Sequence, residues 1–315
     1  MAANYWVSSQ RLHWQFSKQT LQEMRKDLED EDRGLVQQYP LPDRRLLSIY
    51  FKEQITKLGR RLSMRQQAMA TAQLYIRRFC TKVEIRRTNP YLLLATALYL
   101  AGKMEECPQH IRVVATEARN AWPDLVTTDI SKLGECEFSL ISEMNSQLIV
   151  HHPYRTLSEL QTTLGLSQEE TALAWAVIND HYLTDLPLLY PPHVIAVTAI
   201  FLTIVLKPTP GNPNHSTATT LNALHSSQTG TNGKLSPGPG THSSGGKSST
   251  PSSGVATTSK SQKVVSWLAE SEVNMEDVID CTQEIISLYD VWDQYNERVC
   301  KEQINRFVKG RGLDK

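Results

Sequence analysis

The sequence is poor in most features that mark an enzyme, a secreted protein or a membrane protein. Its five cysteines, Cys80, Cys107, Cys136, Cys281 and Cys300, form no CxxC pair. An odd number of scattered cysteines gives neither a disulfide framework nor zinc-ligand spacing. Reduced thiols in an intracellular protein are expected, with no metal site and no cofactor. There is no glycine-rich phosphate loop, no HExxH and no GxSxG. The nine histidines are scattered, and His151-His152 beside Pro153 reads as a polar linker. These absences predict a binding protein, not an enzyme. Charge of one sign is lacking too: 33 basic residues balance 33 acidic ones, without the basic excess of a nucleic-acid binder. The first residues, MAANYWVSSQ, have no basic segment followed by an apolar one, so no secretory signal is expected. One long apolar run, 188–206, is interrupted by Pro191, Pro192 and His193. What remains is shorter than the ~20 residues of a membrane-spanning helix, so it reads as a buried core helix.

Against these absences stands one conspicuous stretch, NPYLLLATALYLAGKMEE at 89–106. It is apolar on every side for about three turns, as in a helix surrounded by its neighbours. It ends in a charged group, Lys103, Met104, Glu105, Glu106. The stretch has an echo, PPHVIAVTAIFLTIVLK at 191–207, and the helix before each also matches in character, MRQQAMATAQLYIRRF against EETALAWAVINDHY. A repeat near 100 residues is too long for a solenoid and predicts two copies of one helical domain.

The first 30 residues are rich in aromatics, Tyr5, Trp6, Trp14 and Phe16, with Ser8 or Ser9 and then Ser17 placed to cap two helices. They pack on the protein or dock a partner. Residues 31–42 read as a loop. Helical spacing follows over 44–58, ended by Gly59, then over 64–79, 90–106 and 111–120, and from a Thr127 or Thr128 cap to 145. The second copy runs through 156–164, 169–184 and the 191 helix. Between 208 and 262 there is no Phe, Trp, Tyr, Asp or Glu. Such a segment cannot bury enough apolar surface to order itself, and disorder is expected. Thr209, Ser236 and Thr250, each before a proline, are candidate phosphosites there. Structure should resume at Val264. A helix over 275–292 capped by Asn274 should follow, with one more in the tail to about 308.

Two tandem five-helix domains whose third helix ends in YLAGKMEE resemble the cyclin family. The stretches NYWVSSQRLHWQFSKQTL, MRQQAMATAQLYIRRF, ECEFSLISEM, LIVHHPYRTL and AWAVINDHYLTDLPLLYPPHVIA are similar to the cyclin C subfamily, and the 208–262 insertion is similar to its fungal members. The resemblance implies an all-α fold with an arm (1–42), a first cyclin box (43–150), a second (151–207 and 263–293) and a tail (294–315). It implies a nuclear, non-catalytic subunit that activates a cyclin-dependent kinase of the Mediator kinase module. That kinase phosphorylates the RNA polymerase II C-terminal domain and regulates, often represses, transcription. Partners would be the kinase, the other module subunits and, indirectly, the polymerase holoenzyme, with no direct nucleic acid or membrane contact. Lys103 and Glu135 match the family's kinase-binding Lys and Glu, with Glu106 beside them. Trp6, Glu105, Trp175, Asn179 and Asp180 are candidates for a partner-binding groove. For Asn179 and Asp180 an internal hydrogen-bond network between the repeats is an equal reading, because polar groups in a buried helix need partners. The stretch aligned with the cell-cycle cyclins' substrate patch, Leu47-Ser48-Ile49-Tyr50-Phe51, lacks that patch's Arg, so RxL capture is not expected. Alternative functions on the same fold are a TFIIB-like factor binding DNA and a cyclin of another transcriptional kinase.

Overall fold

The helix at the centre of the first repeat, Pro90–Met104, starts where Asn89 accepts hydrogen bonds from the backbone N–H groups of Tyr91 and Leu92 and Pro90 fills the first helical position. In the computed structural model, which describes residues 4–206 and 260–314, this is the sixth of the α-helices. In chain order they are α1 Ser9–His13, α2 Lys18–Glu31, α3 Arg33–Gln38, α4 Arg44–Arg61, α5 Gln66–Phe79, α6 Pro90–Met104, α7 Ile111–Ala121 and α8 Ile130–Glu143. After the linker come α9 Pro153–Leu164, α10 Gln168–His181, α11 Leu186–Leu189, α12 Pro192–Leu206, α13 Lys260–Glu270, α14 Met275–Trp292 and α15 Glu297–Gly310. No strand occurs among the described residues.

The all-α, two-repeat expectation holds. In the first repeat α4, α5, α7 and α8 pack around α6, whose Leu93, Leu94, Ala97 and Leu98 are buried. In the second, α9, α10, α13 and α14 pack around α12, whose Val194, Ile195, Ala196 and Ile200 are buried. No helix of the described residues is long and apolar enough to cross a membrane.

Several local readings change. Residues 33–38, read as loop, form α3. Gly59 does not end α4, which continues to Arg61. A Cβ there would lie 2.5 Å from Sδ of Met69, so the glycine serves the close approach of α4 and α5. The cap of α8 is Asp129, which accepts from the N–H of Ser131, and not Thr127 or Thr128. The segment 208–262, with Thr209, Ser236 and Thr250, lies outside the described residues except for its last three. Those open α13, one turn before Val264. The tail helix α15 belongs to the first repeat's core, where Cys300, Ile304, Phe307 and Val308 pack with Leu47, Tyr50 and Tyr91.

The N-terminal arm bridges both repeats. Ser8 and Ser17 cap α1 and α2 as the sequence predicts. Gln10 bonds both backbone groups of His151 in the linker, at 2.7 and 3.3 Å. Trp14 is buried, with the Arg78 guanidinium 5.0 Å from its ring centre. The N–H of Phe16 donates to the carbonyl of Leu188 at 2.8 Å. Deeper in, Arg25 of α2 donates two hydrogen bonds to Asp185, at 2.5 and 2.6 Å, and Arg77 of α5 donates a third at 2.7 Å. One carboxylate of the second repeat thus holds a guanidinium from the arm and one from the first repeat. Burial pushes the Asp185 carboxyl up, but the bonds and charges of Arg25 and Arg77 outweigh it and hold it at about 2. The three side chains are partly buried, 12–27% exposed, so stranding the two guanidiniums should cost somewhat less than a fully buried pair, about 3 kcal/mol. Asp185→Ala should therefore lower Tm by roughly 6–12 °C in a thermal melt. A carboxylate with a depressed pKa contributes stability above its unfolded pKa of ~3.9 and loses it as pH falls through the folded value. The wild type should lose stability between pH ~4 and ~2 in acid titration more steeply than Asp185→Asn.

Candidate functional site

The charged end of α6 meets α8. Lys103, in the last turn of α6, pairs with Glu137 of α8 and lies 4.5 Å from the ring centre of Tyr99. Glu135 is exposed and makes no ion pair among the described residues. The carboxylate of α8 that meets Lys103 is Glu137, two residues after Glu135. Leu133 and Leu140 are the buried residues of α8. At ~100° per residue, position 137 falls on the same face, within ~60° of both, and 135 points ~200° away from Leu133. The spacing Leu-x3-Glu-x2-Leu was the available signal: a carboxylate flanked by two core residues has to meet the neighbouring helix. Glu106 is exposed, in the left-handed region at φ 54°, just past Glu105. Beside Glu137, Phe138 is 77% exposed, and Met104 and Val113 also face solvent.

The other expected site residues divide into two groups. Glu105, Asn179 and Asp180 are engaged within the chain. Glu105 accepts from Gln67 at 2.7 Å and from Thr71 at 2.6 Å, and lies 3.4 Å from His152. Burial pushes its carboxyl up, and the bonds from His152 and Thr71 more than reverse this. His152, read as a polar linker, is instead buried, with Nε2 2.7 Å from the Thr71 hydroxyl and Nδ1 against the Tyr182 hydroxyl. Asn179 accepts from Tyr154 at 2.7 Å and from Gln66 at 3.2 Å. Asp180, buried in α10, receives Lys52 of α4 at 3.2 Å and the Tyr289 hydroxyl at 3.5 Å. Burial raises its carboxyl, with Lys52 opposing. Lys52, Gln66 and Thr71 belong to the first repeat and Asp180, Asn179 and Tyr182 to the second, so these contacts are an inter-repeat seam. Trp6 and Trp175 form the second group. Trp175 is partly exposed and stacks on Tyr154, with ring centres 4.5 Å apart. Trp6 is exposed, its ring 5.5 Å from those of Tyr5 and His193. The two indoles make no ring contact with each other.

The segment 47–51 is covered. The Tyr50 and Tyr91 hydroxyls bond at 2.8 Å, and Tyr91 donates to Asn305 of α15 at 2.8 Å. A cavity of about 390 Å3 opens between α2, α4 and α5, but its cations Arg25, Arg44, Lys52, Arg77 and Arg86 are all ion-paired. No group of three or more His, Cys, Asp or Glu among the described residues could hold a metal ion.

The fold defines a protein of two five-helix repeats, with the charged end of α6 set against α8. Residues 16–149 match the cyclin N-terminal domain. The RNA polymerase II holoenzyme cyclin-like subunit of Aspergillus fumigatus is 58% identical over 319 residues, spanning all of both chains. The Neurospora crassa protein of the same name is 51% identical over 345 residues, again spanning both. The chain belongs to the cyclin family. Its fold is shared with a chain of the Chaetomium thermophilum CAK complex bound to ATP-gamma-S, with TM-score 0.59 and 18% identity, covering 97% of this chain and 87% of that one. It is shared also with a chain of the yeast TFIIK complex, with TM-score 0.52 and 21% identity, covering 70% and 97%.

The two groups should separate on mutation. Asp180→Ala strands Lys52 and should cost about 3 kcal/mol, visible as a Tm lower by roughly 6–12 °C. Trp175→Ala should cost about 1 kcal/mol, the scale of one stacked aromatic pair.

Proposed function

We propose that this chain is a nuclear, non-catalytic cyclin that binds and activates a cyclin-dependent kinase of the Mediator kinase module, which phosphorylates the RNA polymerase II C-terminal domain. The observation that carries the reading is the Lys103–Glu137 pair at the edge of α6 and α8, with Phe138 exposed beside it. An exposed aromatic next to pre-positioned polar groups is the composition of a protein–protein hot spot. The names of the fungal relatives place them with RNA polymerase II holoenzyme.

A cyclin-dependent kinase needs its β3 Lys paired with its αC Glu. A partner that binds only the αC-in arrangement shifts the equilibrium towards it by its differential affinity and does no chemistry itself. Lys103 is suited to this. Its ammonium is already held by Glu137 and the Tyr99 ring, so little side-chain freedom remains to be lost when a kinase carbonyl takes a further donor position. Glu106, just past α6, and Glu135 of α8 are both exposed and would supply a polar rim. Trp6 and Trp175 remain as exposed indoles for other module subunits, while Glu105, Asn179 and Asp180 act by holding the seam beneath them. The DNA-binding alternative finds little support in the arginine pairs. Arg44, Arg61, Arg77, Arg86 and Arg87 are ion-paired and Arg78 is buried, which leaves few guanidiniums for phosphates.

The test is a pull-down and titration with the Mediator-type kinase, followed by phosphorylation of a polymerase C-terminal-domain peptide. Phe138→Ala should weaken binding about 30-fold, the scale of a 2 kcal/mol hot spot. Lys103→Ala/Glu137→Ala should weaken it at least about tenfold and reduce activation in step. Glu135→Ala alone should have an effect within about threefold. Kinase binding unchanged in all three variants would move the interface off this face, and absence of binding by the wild type would reject the function.

A further inference from the structure

The chain's charge is balanced overall but not locally. Between 270 and 293 it carries eight Asp or Glu and no Lys or Arg. Most of this segment is α14, an 18-residue helix. Its inner side is ordinary core, with Val278, Cys281, Ile285 and Leu288 buried. Its outer side is not ordinary surface. Met275 is 39% exposed, Ile279 51% and Ile286 46%. At ~100° per residue these three fall within ~40° of one another, on one stripe. Glu276, Gln283 and Asp290 interleave with them on the same face. Single exposed apolar residues need no explanation, but an aligned set does.

The carboxylates on this face are unmatched. Glu276 and Asp290 form no ion pair among the described residues. Asp290 lies towards the C-terminal end of α14, where the helix dipole favours a cation, yet the last turn has no basic residue. Asp280 shows the chemistry on the opposite edge: Lys18 of α2, another helix, meets it at 2.7 Å.

We infer that the outer face of α14 is a docking surface for a basic amphipathic helix of a partner protein, one with large apolar residues at three- and four-residue spacing flanked by Lys or Arg. The apolar stripe suits the helix-in-groove mode of recognition, and the uncompensated carboxylates set the sign of the partner and steer its approach. A second copy of this chain is disfavoured as occupant, since a two-fold contact would set the same acidic face against itself. Nucleic acid and anionic membrane carry the repelled sign. The surface is on a different helix, in the second repeat, and does not depend on the kinase reading.

The experiment uses the full chain and a fluorescent peptide of Leu and Lys, as long as α14, with Leu at helical spacing. A Leu/Glu peptide of the same pattern and a scrambled Leu/Lys peptide serve as controls. Fluorescence anisotropy should show binding of the Leu/Lys peptide, no binding of the Leu/Glu peptide, and at least about tenfold weaker binding of the scrambled one. Ile279→Ser/Ile286→Ser should raise Kd at least about tenfold. Its Tm should stay within about 2 °C of wild type, because neither side chain is in the core. Glu276→Gln/Asp290→Asn should raise Kd about threefold to tenfold and flatten its dependence on salt. Equal binding of the Leu/Lys and Leu/Glu peptides, or a Kd unchanged in both double variants, would overturn the inference. So would a dimer in sedimentation that Ile279→Ser/Ile286→Ser dissolves, which would assign the face to a second copy.

Discussion

One carboxylate, Asp185, decides how the parts of this molecule meet. It takes Arg25 from the arm and Arg77 from the first repeat at once, and the Arg77 guanidinium also donates to the Tyr182 carbonyl at 3.0 Å and to Ser48 at 3.1 Å. An apolar contact between two repeats would be tolerant of sliding, because hydrophobic attraction is non-directional. Fixed donor geometry is not tolerant, and a planar guanidinium on a carboxylate is among the most directional contacts a protein makes. Buried ion pairs add little net stability, so their value here is in specifying one arrangement. Asp180 with Lys52 and Asn179 with Gln66 repeat the device further along the same seam. The N-terminal arm, the α6–α8 face and the outer face of α14 therefore keep set positions relative to one another.

Much of the fold is legible in the sequence, because the repeat is carried by periodicity. Two helices apolar on every side, each introduced by proline, mark two cores, and Asn274, Ser8 and Ser17 cap where their spacing says. The misreadings have a common cause. Gly59 reads as a helix stop from local chemistry alone, and only the proximity of Met69 shows why a glycine stands inside α4. The α15 helix reads as a tail because nothing local says that Ile304 and Phe307 return to a core laid down two hundred residues earlier. His151-His152 reads as linker because the partners of His152, Thr71 and Tyr182, come from two different repeats. Local signals determine local structure, and long-range contacts override them without trace in the window.

The candidate site shows the same limit more sharply. Polar residues in an apolar helix are the exceptions that stand out in a sequence, and Asn179 and Asp180 are of that kind. Such residues have to be hydrogen-bonded wherever they are buried, and here the seam takes them. The residues left over for partners are the opposite exceptions, apolar side chains at solvent positions: Phe138 on α8, Ile279 and Ile286 on α14. In the sequence these look like core, since helical spacing around α14 places Ile279 one residue from Val278 and Ile286 one residue from Ile285. Only the packing tells which of each pair is inside, and Val278 and Ile285 are the buried ones. A small helical protein has to cover its core with one stripe of each helix. An apolar residue outside that stripe costs solubility and gives nothing to the fold, so a set of them aligned on one unmatched acidic face is where a binding function, and not stability, accounts for the residue type.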